Sequence, residues 1–387
     1  MPDGSGTFTV KVLPAIAEIG AAEWDACAGA DNPFLSHGFL DVLESSGSVA
    51  ASTGWMPQHL VVEDEVGRVV GAAPLYLKSH SYGEYVFDHG WAEAYQRAGG
   101  RYYPKLQIAV PFTPVPGPRL LVRPDADREP VEAALIQASV ELMGRRRASS
   151  VHVTFPREAE WRRLGEAGWL TRIGYQFHWE NRGYASFEEF LAALSSRKRK
   201  QIRKERREAL ADGLAVQTLT GGDLEPRHWD AFYGFYMDTS DRKWGHAYLN
   251  RRFFQLLGER MAERVVLILV ERNGKYVAGA LNLLGTDTLY GRNWGCNGDY
   301  PFLHFEACYY RAIDFAIERG LQRVEAGAQG RHKIQRGYLP TATYSAHWIA
   351  DPGLAEAVKT YLARERRHAQ AEIAALMEES PFKKDGE

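Results

Sequence analysis

EAGWLTRIGYQFHWEN (residues 166–181) and QRGYLPTATYSAHWIA (residues 335–350) carry the same pattern at two places in the chain. Gly168 matches Gly337, Trp169 matches Tyr338, Tyr175 matches Tyr344, His178 matches His347 and Trp179 matches Trp348, all at one offset of 169 residues. Four of the five pairs are identical, which points to an internal duplication. The reading is two α/β domains of similar topology, joined near residues 181–186. His178 and His347 each stand in a strand before a Trp, and their presence in both copies marks them as scaffold.

The flanking segments fit that plan. FLSHGFLDVLESSG (residues 34–47) reads as a helix with Phe34, Leu35, Phe39, Leu40 and Leu43 on its apolar side, stopped by Gly47. HLVVEDEVGRVVGAAPLYLK (59–78) reads as strand, turn and strand around Gly67, and VVLILVERNGKYVAGALNLLG (265–285) repeats this around Asn273-Gly274, a strong hairpin signal. The copies differ after these strands. The first carries RAGGRYYPKLQIAVPFTPVPGPRLL (97–121), too rich in Pro and Gly to be one regular element. The second has GCNGDYPFLHFEACYYRAIDFAIERG (295–320), a loop running into an amphipathic helix ended by Gly320. Between the copies, FEEFLAALSSRKRKQIRKERREALADG (187–213) reads as one helix in which eight of eleven residues from Arg197 to Arg207 are basic. The tail reads as a further amphipathic helix. The boundaries are 1–183, 184–352 and 353–387, each of the first two a mixed, mostly antiparallel sheet flanked by helices.

A length of 387 residues exceeds what one core usually supports. The apolar and charged fractions, 45% and 25%, are those of an ordinary globular protein, and a net charge of −2 confines any anion site to a local patch. Three scattered cysteines, Cys27, Cys296 and Cys308, suit neither a disulfide framework nor a zinc cluster. The N-terminus lacks a basic segment followed by an apolar run, and the longest apolar run, near Val265–Val270, is far short of a membrane span. The expectation is a cytoplasmic protein with no membrane span and no metal.

RKRKQIRKERREA, LYGRNWGC, FLHFEACYYRAIDFAIERGL, EAGAQGRHKIQRGYLP and YSAHWIA, in this order, resemble the FemAB-like branch of the GNAT acyltransferase superfamily. The resemblance spans almost the whole chain and is tightest over 195–350. It implies α/β (α+β) architecture of two tandem GNAT-like domains and transfer of an acyl or aminoacyl group to an amine, in a family associated with peptidoglycan biosynthesis. Two departures stand out. WGCNGDYPFLHF has Gly295 and Gly298 but not the basic, glycine-repeating pyrophosphate loop of acetyl-CoA-binding relatives. The resemblance also implies an acidic residue after Gly330, where this chain has Arg331.

Acyl transfer to an amine needs a proton acceptor for the amine, donors for the tetrahedral oxyanion and a proton for the leaving group. Glu325 ends the short strand RVEAG and is the first candidate base, against the plainer reading of an ion-paired or capping carboxylate. His332 is the second, its ordinary pKa being near neutrality. Gln329 and the Gly327 and Gly330 amides are candidate oxyanion or phosphate donors. Lys333 and Arg336 are candidates for a donor phosphate or carboxylate, as are Arg199 and Arg203 on the basic helix, where a dense cationic stripe calls for a facing anion. Arg242, Lys243, Trp244 and Tyr248, with His304 and Glu306, are candidates on the acceptor side.

The leading expectation is an N-acyltransferase with its active domain in the second copy and a degenerate first copy shaping the cleft. Its co-substrate is an acyl-CoA or an acyl carrier protein thioester, with no tightly bound cofactor, and its acceptor is a small-molecule or peptide amine. The alternatives are an aminoacyl-tRNA-dependent transferase acting on a peptide or cell-wall precursor, favoured by the basic helix, and a catalytically silent binding protein of the same fold.

Overall fold

The computed structural model describes residues 8–211, 213–243 and 247–383, with the side chains of 240–243 outside that description. The strands are β1 (Thr9–Leu13), β2 (Trp55–Pro57), β3 (His59–Glu63), β4 (Val69–Ala73), β5 (Leu75–Lys78), β6 (Lys105–Ile108), β7 (Leu121–Val122), β8 (Ser150–Thr154), β9 (Leu170–Glu180), β10 (Leu214–Thr220), β11 (Val265–Arg272), β12 (Lys275–Leu284), β13 (Thr288–Cys296), β14 (Arg323–Glu325) and β15 (Leu339–Ile349). The chain divides into unit 1, Met1–Gly174 with Thr343–Gln370, and unit 2, Tyr175–Ala342 with Ala371–Glu387. Both central boundaries fall inside the strands that carry the repeat, β9 and β15. Unit 1 therefore takes residues from the second copy of the repeat, and unit 2 takes residues from the first.

In unit 1, β1, β3, β4 and β7 form one sheet in the order β1-β3-β4-β7. A second sheet runs β2-β5-β6-β8, and residues 345–349 of β15 pair antiparallel with β8. Only β6 and β8 are parallel within it. Side chains alternate between faces along a strand. Leu106, Ile108, Val151 and Val153 pack with Leu135 and Leu142 of the helix Arg128–Arg146. The alternate positions Lys105, Gln107, Ser150, His152 and Thr154 are buried as well, so this face must satisfy its polar groups internally. Lys105 donates to Glu84 at 2.7 Å and to Asp88, and the Tyr102 hydroxyl donates to Asp88 at 2.7 Å. The loop bearing Glu84 and Asp88 is thereby tied down at two points.

Unit 2 has the order β10-β11-β12-β13-β14-β9. All neighbours are antiparallel except β13 and β14. The apolar run at Val265–Val270 is wholly buried in β11, and Asn273 and Gly274 take φ of 51° and 74° at the hairpin tip. Left-handed backbone at both central positions is what a two-residue hairpin of the right twist demands. Phe177, Trp179, Phe190, Tyr310, Ile313, Val324, Ile334 and Tyr338 share one core. Each large apolar side chain buried there contributes roughly 1.5–3 kcal/mol.

Three helices depart from the sequence expectation. The segment 34–47 splits because Ser36 caps a helix over His37–Ser45, leaving Pro33–Leu35 as a separate 3-10 turn. The basic segment is two helices, Phe187–Ala192 and Ser196–Ala209, and not one. The break has a tertiary cause: Ser195 N–H donates to the Pro381 carbonyl at 2.9 Å and Leu194 bridges to Phe382. The third departure is a π-helical turn, Glu306–Tyr310, between Leu303–Phe305 and Arg311–Glu318. The wider turn sets Arg311 Nε 2.7 Å from the fully buried carboxylate of Glu306. Arg206 grips the same carboxylate with two 3.0 Å bonds and reaches Asp314 at 2.6 Å.

Removing one partner from a buried ion cluster leaves an uncompensated charge. Arg206→Met should therefore lower the stability of unit 2 by about 3 kcal/mol, read as a lower denaturation midpoint; an unchanged midpoint would mean that Glu306 is held adequately by Arg311 alone.

Candidate active site

Strand β13 is paired to β12 along most of its length, but to β14 only through Thr288↔Arg323, Leu289↔Val324 and Tyr290↔Glu325. Beyond Glu325 the chain turns away while β13 continues to Cys296, so the two strands part. Gly291 stands at the fork: a Cβ there would lie 3.1 Å from the Glu325 carbonyl oxygen. The β12–β13 register slips by one at the same place, where Leu281 faces Asn293 and Asn282 faces Gly291, leaving Arg292 as the extra residue. A bulge bends its strand locally and re-aims the side chains beside it.

Glu325 is buried at this fork. Its carboxyl is pushed up to about 8, chiefly by burial; Arg323 pulls it down and Glu180 pushes it up. Its Oε2 has no hydrogen-bond partner among the described residues. Across the antiparallel pair lies His178, whose Nε2 is 3.9 Å from that oxygen. Burial holds the His178 imidazole down at about 3, so the two groups face each other uncharged near neutral pH. A carboxyl kept protonated by desolvation but able to ionise just above neutrality is matched to proton exchange with an amine.

The loop after Glu325 is held from beneath. The Lys333 ammonium, buried, donates to the carbonyls of Ala326 and Gly327, the latter at 3.2 Å, and burial lowers it to about 8. Arg336 pairs with the buried Glu205 at 2.9 Å, donates to the His332 carbonyl at 2.7 Å and lies 3.4 Å over the Phe305 ring. Both cations bond to groups of the protein itself. His332 is exposed, with its Nε2 3.0 Å from the Tyr309 hydroxyl. Gly330, at φ 101°, leaves room for that ring: a Cβ there would lie 2.4 Å from it. Gln329 is exposed on the same loop, and Gly327 takes φ 72°.

His304 lies between Trp294, 5.4 Å away by ring centroid, and Tyr309 and His332, at 5.2 and 6.0 Å. An ordinary helix would set His304 above Cys308; the π turn brings Tyr309 round to it instead. Glu306 is sealed inside the Arg206–Arg311 cluster, so it is not available to an acceptor. Arg199 is half-buried with a weak 3.4 Å bond to the Ala192 carbonyl, and Arg203 is exposed and pairs with Glu188. Tyr248 is half-buried. Trp244 lies outside the described residues, and Arg242 and Lys243 are described only as the helical backbone that ends Pro226–Lys243. Among the described residues no group of His, Cys, Asp and Glu is arranged to hold a metal, and no helix is long and apolar enough to cross a membrane.

Residues 15–384 match the FemAB-like family, described as peptidoglycan biosynthesis/recognition. The chain belongs to that family. A search of curated sequences finds no match. Among solved structures, FemX is similar with a TM-score of 0.56 at 13% identity, covering 88% of this chain and 98% of its own. A C-terminal domain from Agrobacterium fabrum, described as that of a lysylphosphatidylglycerol synthetase, is similar with a TM-score of 0.55 at 11% identity, covering 90% and 97%. A tandem GNAT protein of the clavulanic acid pathway gives a TM-score of 0.46 at 13% identity, covering 89% and 99%. The fold is mixed α/β and similar to that of FemX, and the family points to a transferase.

Sequence reasoning reached Glu325, His332 and His304 but missed Trp294 and Tyr309, and it read His178 only as scaffold. Trp294 stands in β13, in a segment that the sequence reading treats as the start of a loop; nothing local signals that β14 inserts between β13 and β9.

The Glu325 carboxyl makes a testable contribution to stability. Folding raises it from 4.5 to about 8, so the folded protein holds an extra proton between those values. Stability is full below about pH 4.5, falls as pH rises towards 8 and is level above. Glu325→Gln lacks this loss. The melting temperature of the variant minus that of the parent should widen from pH 5 to pH 8 and then stay constant; a flat difference would show that Glu325 titrates normally.

Proposed function

We propose that unit 2 transfers an acyl or aminoacyl group to an amine, with Glu325 as the general base. The observation that carries this reading is the buried Glu325 carboxyl, its Oε2 without a hydrogen-bond partner among the described residues, at the point where β13 and β14 part. The amine nitrogen attacks the acyl carbon, the N–C bond forms and the ammonium proton passes to the Glu325 carboxylate. Collapse of the tetrahedral intermediate breaks the bond to the leaving sulfur or oxygen, which takes up a proton. Gln329 and the amides of the 327–330 loop supply donors suited to the oxyanion, and His332 is the next proton acceptor should Glu325 fail. Arg331 is exposed and pairs with Glu379, so it carries no part of this reading.

Unit 1 is read as the silent copy. Its register sets Gln107, His152 and His347 where unit 2 has Tyr290, Glu325 and His178. There His152 is bonded through both ring nitrogens, to Ser150 and to His347, each at 2.7 Å. An imidazole so engaged has no lone pair to offer a substrate.

The donor on this reading is an acyl thioester of coenzyme A or of a carrier protein. An aminoacyl-tRNA donor is the second reading, favoured by the exposed Arg197, Lys200, Arg203, Lys204 and Arg207 on Ser196–Ala209. The family description makes a peptide amine of a cell-wall precursor the acceptor to test first.

A true donor stabilises the folded state by mass action. Acetyl-CoA, a long-chain acyl-CoA and an aminoacyl-tRNA should be compared by thermal shift, and one of them should raise the melting temperature. If none does so at high concentration, the transferase reading fails. With the donor identified, Glu325→Gln should lower kcat/KM by about 100-fold or more, and the parent's pH–rate profile should rise with an apparent pKa near 8. Unchanged turnover in the variant would pass the base to His332.

A further inference from the structure

His178 and His347 stand at one offset of 169 residues, and so do the residues two before them, Gln176 and Ser345. In both strands the histidine Nε2 turns to that neighbour. His347 meets the Ser345 hydroxyl at 3.0 Å, and His178 meets the Gln176 side-chain carbonyl at 3.3 Å. The other nitrogen separates the two copies. His347 Nδ1 is bonded to His152 at 2.7 Å, whereas His178 Nδ1, buried, has no hydrogen-bond partner among the described residues. An orphaned buried acceptor costs stability. A residue that only filled space here would be better apolar, and leucine has a similar volume.

The same contacts fix the ring hydrogen. A carbonyl oxygen only accepts, so Nε2, which faces Gln176, carries the hydrogen and Nδ1 the lone pair. The antiparallel register sets His178 against Glu325, and this Nε2 lies 3.9 Å from Glu325 Oε2, an atom that no donor among the described residues reaches. The gap is about 1 Å longer than a hydrogen bond, and contacts of this kind tighten as the reaction proceeds.

Charge keeps the donor neutral. Burial, then Arg323 and Lys333, oppose an imidazolium at His178. Around Glu325 the charged groups are Arg323, Glu180, Arg292 and Asp287, with Tyr290 as its register partner on β13, and Arg323 is itself engaged by Glu180 at 2.6 Å. We propose that His178 is a positioning residue: held in its Nε2–H form by Gln176, it donates to Glu325 Oε2 while that carboxylate is ionised and leaves Oε1 to take the proton from the amine. His178 gains and loses no proton. The amine proton ends on Glu325, and the Nε2–H bond stays intact throughout.

The catalytic meaning of this contact rests on Glu325 as the base, but its test is read from Glu325 itself, without substrate. The Glu325 carboxyl should be titrated by carboxyl-carbon NMR in the full chain, its signal assigned by its loss in Glu325→Gln. In His178→Leu the midpoint should rise by about one pH unit or more, because the carboxylate loses its donor. His178→Gln keeps an amide N–H where Nε2 stands and should hold the parent's midpoint. His178→Asn sets its amide at the Nδ1 position and should follow His178→Leu; if the leucine variant does not fold, the Asn and Gln variants decide. At pH 5, with Glu325 protonated, His178→Leu should melt no lower than the parent. A midpoint that neither Leu nor Asn moves overturns the proposal, and a lower melting temperature beside it would return His178 to scaffold. A midpoint raised in His178→Gln also overturns it, making His178 a proton acceptor. With a donor identified, kcat/KM at pH 7 should fall about tenfold for each pH unit of the rise. Turnover that survives Glu325→Gln would sink the base reading alone, since the midpoints are measured without substrate.

Discussion

A parallel strand pair cannot be joined by a tight turn and needs a crossover. In unit 2 that crossover is the helical run 303–318, and the strand it delivers, β14, is only three residues long. The brevity of β14 decides what surrounds Glu325. Were β14 longer, the chain beyond Glu325 would stay beside β13; because it stops, the carboxyl sits at the mouth of a fork, desolvated and unmatched by any cation in contact. Its shifted ionisation therefore comes from topology first and from neighbouring charges second.

The crossover carries its own constraint. Glu306 is wholly buried, and the π turn that starts with it brings Arg311 onto its carboxylate while Arg206 closes from the basic helix. The same turn rotates Tyr309 to His304 and to His332. One local irregularity thus serves both the packing of the helix and the ring cluster at the fork. Arg336 and Lys333 complete the support, one bound to Glu205 and the other to the loop carbonyls.

Much of the fold was legible. The offset of 169 between His178 and His347 is repeated in the register, where each histidine stands antiparallel to a strand that is itself parallel to another. Hairpins were legible because Asn273-Gly274 states its backbone requirement locally. The broken basic helix was not: Ser196–Ala209 has helical propensity throughout, and the interruption comes from Pro381 and Phe382, almost two hundred residues away. The π turn was also hidden, since the Glu306 that starts it is held in part by Arg206, a residue on another helix.

By itself the chain determined its mixed α/β character, the hairpin at Asn273-Gly274 and Glu325 as a carboxylate ending a strand, because these rest on local periodicity and on φ preferences that neighbouring residues settle. Only the tertiary structure decided which charges are paired inside the fold and which are not. Burial and the distance to a counter-ion govern that division, and both depend on residues far apart in sequence: Glu325 faces the uncharged His178, while Glu306 is held by Arg206 and Arg311, Arg336 by Glu205, and Lys333 by the Ala326 and Gly327 carbonyls.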